Sequence, residues 1–188
     1  YPVYVLMDMQ SAEPEENTER FYTVLEHAME EGWVLDAVIA QSHSDAEDFW
    51  ALRDSIAEML NSYAPTINFD VSFPISKIGE CVERLRRVMV DEFPDIHAMY
   101  FGHVGDGNLH IVVGPLPDDN QQTERALEDA FYDITRDLGG SVSAEHGIGT
   151  HKKPYLAHSR NRAEINLIKR MKQALDPQGI LNPGKIID

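Results

Sequence analysis

The chain has 188 residues and a formal net charge of −16 at pH 7, with 16 Lys plus Arg against 32 Asp plus Glu. That length suits one domain, able to bury roughly 70 % of its unfolded surface, and 43 % hydrophobic with 9 % aromatic residues excludes disordered and fibrous classes. The acidic balance argues against a nucleic-acid partner or an anionic membrane surface, and no apolar run approaches the roughly 18 residues of a transmembrane segment.

The single Cys81 cannot form an internal disulfide and no signal peptide precedes it. The expected compartment is therefore a reducing interior, cytoplasmic by default, with the periphery of an inner membrane or a mitochondrial-matrix-like setting as variants. The chain opens at Tyr1 without a Met, in a run that already reads like a strand, so a piece of a longer protein is expected.

Val3 to Met9 is apolar and β-prone and is broken by Ser11-Ala12-Glu13-Pro14. Phe21, Val24, Leu25, Ala28 and Met29 recur at helical spacing and predict a helix over about 15–31, ended by Gly32. Trp33 to Ala40 reads as a second strand. Ser44-Asp-Ala-Glu47 then has the form of a capping box, opening a helix that buries Phe49, Leu52, Ile56, Met59 and Leu60. Thr66 to Phe73 is a third strand closed by Pro74, and Ile78, Cys81, Val82, Leu85, Val88 and Met89 mark the next helix. From Ile96 to Val113, two β-prone runs flank Gly105-Asp-Gly-Asn108, a strong hairpin signal. A helix over about 120–138 stops at Gly139-Gly140, a short strand Ser141 to Ser143 follows, and a last helix covers about 161–175. The order predicts an α+β fold, helices packed on a mostly antiparallel sheet, over 1–188.

With Asp106-Gly107 as a two-residue turn, residue 105 pairs with 108 and His103 with His110. Cross-strand partners have Cβ atoms about 4.5–5.5 Å apart, which suits two imidazoles converging on one metal ion. Two His and one carboxylate with open positions form the ligand set of a catalytic Zn²⁺ site, or of a non-haem iron or manganese site. Glu145 is the candidate third ligand, in the glycine loop Glu145-His-Gly-Ile-Gly149. Its neighbour His146 should project elsewhere and be free for proton chemistry. Arg53 borders the apolar face of its helix, where it is either a surface residue with a packed stem or an anion clamp. Cys81 falls on an apolar stripe and reads as core.

Three motifs carry a family resemblance: Phe101-Gly-His-Val-Gly-Asp-Gly-Asn-Leu-His110, Ser143-Ala-Glu-His-Gly-Ile-Gly149 with Lys152, and Leu175-Asp-Pro-Gln-Gly-Ile-Leu-Asn-Pro-Gly-Lys185. Together with Trp50-Ala-Leu-Arg53 and Phe69-Asp-Val-Ser-Phe-Pro74, they resemble the C-terminal domain of FAD-linked oxidases, in the D-2-hydroxyacid dehydrogenase branch. The resemblance implies a ferredoxin-like cap over a flavin held by an N-terminal FAD-binding domain, itself the partner of this segment, and an isolated cap without activity. It implies FAD and a divalent metal, usually Zn²⁺, as cofactors, with His103, His110 and Glu145 as metal ligands. It makes His146 the base for the α-hydroxyl proton of a small 2-hydroxy acid, Arg53 the clamp on its carboxylate, Lys152 a further substrate contact and Asn182 a cofactor contact.

Members that oxidise D-2-hydroxyglutarate carry Thr, Lys and Asn where this chain has Ala57, Asn68 and Val112. Each hydrogen bond to a charged group is worth about 1.5–3 kcal/mol, so a monocarboxylic substrate such as D-lactate is expected. The residues alone also leave open a free-standing metal-dependent hydrolase and a non-catalytic ligand-binding module.

Overall fold

A computed structural model describes residues 3–9, 12–61, 63–117 and 121–187. Tyr1, Ser11 and Asn120, which entered the expectations above, lie outside the described residues. The chain divides into two compact units, residues 1–59 and 60–188.

The first unit is helical. Helix α1, Pro14–Glu30, follows the predicted stripe, and α2, His43–Asp54, is followed by α3, Ile56–Asn61, which runs on into the second unit. The cap of α2 is Ser42 and not Ser44: Ser42 Oγ accepts from Asp45 N, and Asp45 Oδ2 accepts from Gln41 N. Ser42-His-Ser-Asp45 offers nearly the same capping pattern two residues earlier, and the helix starts at the first of the two overlapping signals. The strands predicted over 3–9 and 33–40 are not formed: neither segment joins a ladder among the described residues. Strand structure requires a neighbouring strand as well as β-prone residues; Trp33 N and Val34 N donate instead to Ala28 O at the end of α1. Val3, Val5, Trp33, Leu35, Val38, Leu52 and Met59 are all exposed, so Leu52 and Met59 do not lie on a buried face.

The second unit holds the sheet. Strands β1, Ile67–Ser72, β2, His97–Phe101, and β3, Asn108–Gly114, form an antiparallel sheet in the order β1-β3-β2. The predicted strand at 141–143 is reduced to one antiparallel bridge, Ser72 to Ser141, on the outer side of β1. With α4, Ile78–Glu92, between β1 and β2, and α5, Gln121–Asp137, after β3, this is a β-α-β-β-α-β arrangement with a vestigial last strand. It is the α+β fold expected.

Alternation along β1 and β3 sends Phe69, Val71, Leu109, Ile111 and Val113 to one face, against Cys81, Leu85 and Met89 of α4 and Leu127, Phe131 and Ile134 of α5. Phe69 and Phe131 meet with ring centroids 4.5 Å apart, both about 1 % exposed. Truncating such a ring removes both its transfer free energy and its packing, so Phe131→Ala is expected to destabilise the chain by about 3–5 kcal/mol. Urea unfolding of the two proteins checks this. Cys81 is a core thiol, pushed up to about 12 by burial. The opposite face of the sheet carries Asp70, Asn108, His110 and Val112, and it builds the site.

Candidate functional site

The hairpin differs from the two-residue turn. Gly102 to Gly107 separate the strands, with a 3₁₀ turn at Val104–Asp106, and the ladder closes at Phe101 with His110. His103 is therefore not the cross-strand partner of His110. The loop closes on itself instead: His103 O accepts from Asp106 N and Asn108 N, and Val104 O accepts from Gly107 N. Gly107 also presses on β1. Its φ is +70°, its carbonyl accepts from Phe73 N at 2.8 Å, and a Cβ there would lie 2.1 Å from Phe73 O. Only glycine fits this position.

The two rings still meet. His103, now on the loop, turns its ring edge-on to His110 with centroids 5.7 Å apart. Glu145 reaches both rings, Oε1 at 3.1 Å from His103 Nδ1 and Oε2 at 3.7 Å from His110 Nε2. One ligand atom from each of His103, His110 and Glu145 lies within 4.8 Å of the others. Two imidazoles and a carboxylate at this spacing are a donor set that fits a divalent ion such as Zn²⁺ and leaves positions for substrate oxygens. His146 stacks on His110 at 5.7 Å between centroids and is more than half exposed.

Beneath these groups lies a carboxylate to which the sequence reading assigned no role. Asp70, on β1, is 0 % exposed and is the register partner of His110. Its Oδ2 accepts from three successive loop amides, Ala144 N at 3.1 Å and Glu145 N and His146 N at 2.9 Å each. Such a nest of N–H groups binds an anion, here one from the protein itself. Ser143 Oγ sits 3.2 Å from Oδ2. Burial pushes the Asp70 carboxyl up, but the amides of His146 and Glu145 and the Lys152 charge outweigh it and hold the group at about 2. Its position in Phe69-Asp-Val-Ser-Phe-Pro74 was the only sequence signal for it. Asn108 was missed as well; its Nδ2 lies 3.3 Å from His110 Nε2.

Lys152 is 8 % exposed, and its ammonium faces Asp70 O and Ser143 Oγ at 3.2 Å each and Asp70 Oδ2 at 3.5 Å. Burial pushes this ammonium down, and Asp70 opposes the shift. Asn182 is exposed on the C-terminal tail, which returns to the site loop through Ile186 N donating to Gly149 O and Lys153 Nζ donating to Gly184 O. Arg53 belongs to the first unit, where its guanidinium donates to Asp54 Oδ1 at 3.1 Å and remains largely exposed.

The second unit is thus an α+β sheet with a His103, His110 and Glu145 cluster on one face and a third histidine, His146, beside it. The chain belongs to the family "FAD linked oxidases, C-terminal domain", whose pattern it matches over residues 1–186. It is 36 % identical to a D-2-hydroxyglutarate dehydrogenase of Stutzerimonas stutzeri (strain A1501), over 98 % of this chain and 40 % of that protein. It is 35 % identical to the mitochondrial D-2-hydroxyglutarate dehydrogenase of Rattus norvegicus, over 99 % of this chain and 34 % of that one. A Schizosaccharomyces pombe protein provisionally named a mitochondrial D-lactate dehydrogenase is 32 % identical over the whole chain and 37 % of its own length. The chain thus spans about two fifths of the length of the curated relatives it matches. Among the described residues no helix is long and apolar enough to cross a membrane.

Proposed function

We propose that this chain is the substrate-binding cap of a FAD-dependent oxidoreductase that converts a D-2-hydroxy acid to the 2-oxo acid, with a divalent metal in the His103, His110 and Glu145 triad. The observation that carries the reading is the convergence of that triad beside His146 on one sheet face, in a member of the FAD-linked oxidase family. When bound, a flavin supplies the acceptor for the α-hydride, and the divalent ion supplies a Lewis acid for the hydroxyl and carboxylate oxygens.

The chain's own residues do the rest. His103, His110 and Glu145 would hold the ion. His146 takes the α-hydroxyl proton on Nε2, since its Nδ1 side faces Asp70 Oδ2 at 4.0 Å. Arg53 clamps the substrate carboxylate, and Asn182 contacts the cofactor from the tail. Lys152 has its ammonium directed at three protein oxygens, so it serves the substrate by holding the loop that carries Glu145 and His146. The partner is an N-terminal FAD-binding domain. Exposed apolar groups support it: Trp33, Leu35, Val38 and Leu52 in the first unit, and Leu167, Met171 and Leu175 along α6, Arg162–Leu175, in the second.

The substrate is a monocarboxylic hydroxy acid such as D-lactate. Asn68 and Val112 are register partners on the face that carries Asp70 and His110, and Val112 is buried. An amide and an isopropyl group there provide no cation for a second carboxylate. At about 1.5–3 kcal/mol per lost charged hydrogen bond, D-2-hydroxyglutarate is expected to have a kcat/KM at least about tenfold below that of D-lactate. Initial rates of the FAD-loaded full-length protein with both acids test this, and a preference for the dicarboxylate overturns it.

A further inference from the structure

We propose that Asp70 is a positioning residue for His110: its Oδ1 takes the ring Nδ1–H and so turns the Nε2 lone pair toward Glu145 and His103, while Oδ2 holds the loop that bears His146. The inference rests on the metal reading of the triad given above.

The two oxygens of Asp70 are in opposite situations. Oδ2 is crowded by three amides and the Ser143 hydroxyl, whereas Oδ1 is buried and has no hydrogen-bond partner. An unpaired buried carboxylate oxygen is costly and calls for a donor. His110 Nδ1 faces it at 3.7 Å across the β1–β3 ladder. A ring movement of about 0.8 Å brings that separation to an ordinary N–H···O distance of about 2.9 Å. A carboxylate only accepts, so the nitrogen that meets it must carry the proton.

The other ring nitrogen then has a free lone pair. It faces Glu145 Oε2 at 3.7 Å and the Asn108 side-chain amide at 3.3 Å. In the metal-free chain Asn108 Nδ2 donates to that lone pair, a bond that an ion at Nε2 would displace. A carboxylate behind a metal-binding imidazole fixes its orientation and raises its basicity. Here the same carboxylate also gathers the amides of Glu145 and His146, so one buried side chain sets both the donor triad and the candidate base.

The test uses the chain labelled with ¹⁵N in its histidines and free of metal, with two-bond ¹H–¹⁵N correlations reporting the tautomer of each ring. His110 is assigned by its loss in His110→Gln. The wild type is expected to show Nδ1–H at His110. In Asp70→Asn the amide nitrogen takes the place of Oδ1 and donates to Nδ1, so the ring proton moves to Nε2 and Zn²⁺ affinity, read by chelator competition, falls about 10–100-fold. An Nε2–H tautomer in the wild type overturns the proposal without any variant, which keeps the test valid if Asp70→Asn does not fold. An unchanged tautomer in Asp70→Asn, with Zn²⁺ affinity within about twofold, also overturns it. A wild type that takes up no Zn²⁺ overturns the metal reading of the triad, and the tautomer shift alone then decides whether Asp70 positions His110.

Discussion

Replacing His146 by Gln is expected to lower kcat for the 2-hydroxy acid by about 10²–10⁴-fold, with KM changed far less. The ring lies on the exposed side of His110, stacked at 5.7 Å, while its backbone N–H is held by Asp70 at 2.9 Å. Its place is therefore set by the main chain, and the side chain is free to accept a proton. Glutamine keeps the backbone contact and much of the volume but offers no base. Because proton removal belongs to the transition state and not to ground-state binding, the loss should appear in kcat and in kcat/KM together. Steady-state kinetics of the FAD-loaded full-length protein read this directly. Activity within about threefold of wild type would remove His146 from the base role.

His103→Ala, His110→Ala and Glu145→Ala are each expected to reduce bound Zn²⁺ or Mn²⁺ from about one per chain to background. Three protein donors and open positions leave no redundancy. Outer-shell changes alone cost about 10–100-fold in metal affinity, so deletion of a donor should exceed about 100-fold. Elemental analysis after dialysis against each metal is the measurement. His110→Ala carries a further consequence. Its ring is the centre about which Phe101, His103 and His146 are arranged, with centroids 5.4, 5.7 and 5.7 Å away. That variant should loosen the site even without metal, whereas His103→Ala, on the exposed loop, should leave the metal-free fold unchanged. Thermal unfolding of the two metal-free variants separates these effects.

Much of the site was legible because the chemistry-bearing residues fall in short motifs. His103 and His110 flank a glycine turn, and Glu145 and His146 sit in a second glycine loop. The two histidines meet although the turn differs: His103 lies on the loop beyond β2, and its ring still reaches that of His110, with centroids 5.7 Å apart. The expected partner of His110 did not survive. A 3₁₀ turn at Val104–Asp106 takes up the residues that a two-residue turn would leave in the ladder, and Gly107 is fixed by its contact with Phe73 of the neighbouring chain segment.

The first unit shows the same limit. The segments over 3–9 and 33–40 have the composition of strands, but a strand is defined by what lies beside it. Residue composition and spacing settled the α+β class, the helices that follow apolar periodicity, and the candidate donors, all properties carried by short stretches of chain. Asp70 shows what only the tertiary structure could decide. By strand alternation it falls on the face opposite Phe69 and Val71. It is fully buried, because the loop 143–146 folds over it and directs three N–H groups at one oxygen while the other faces His110. Burial and the direction of a hydrogen bond depend on groups about 40 to 76 residues away in sequence, and only packing brings those together.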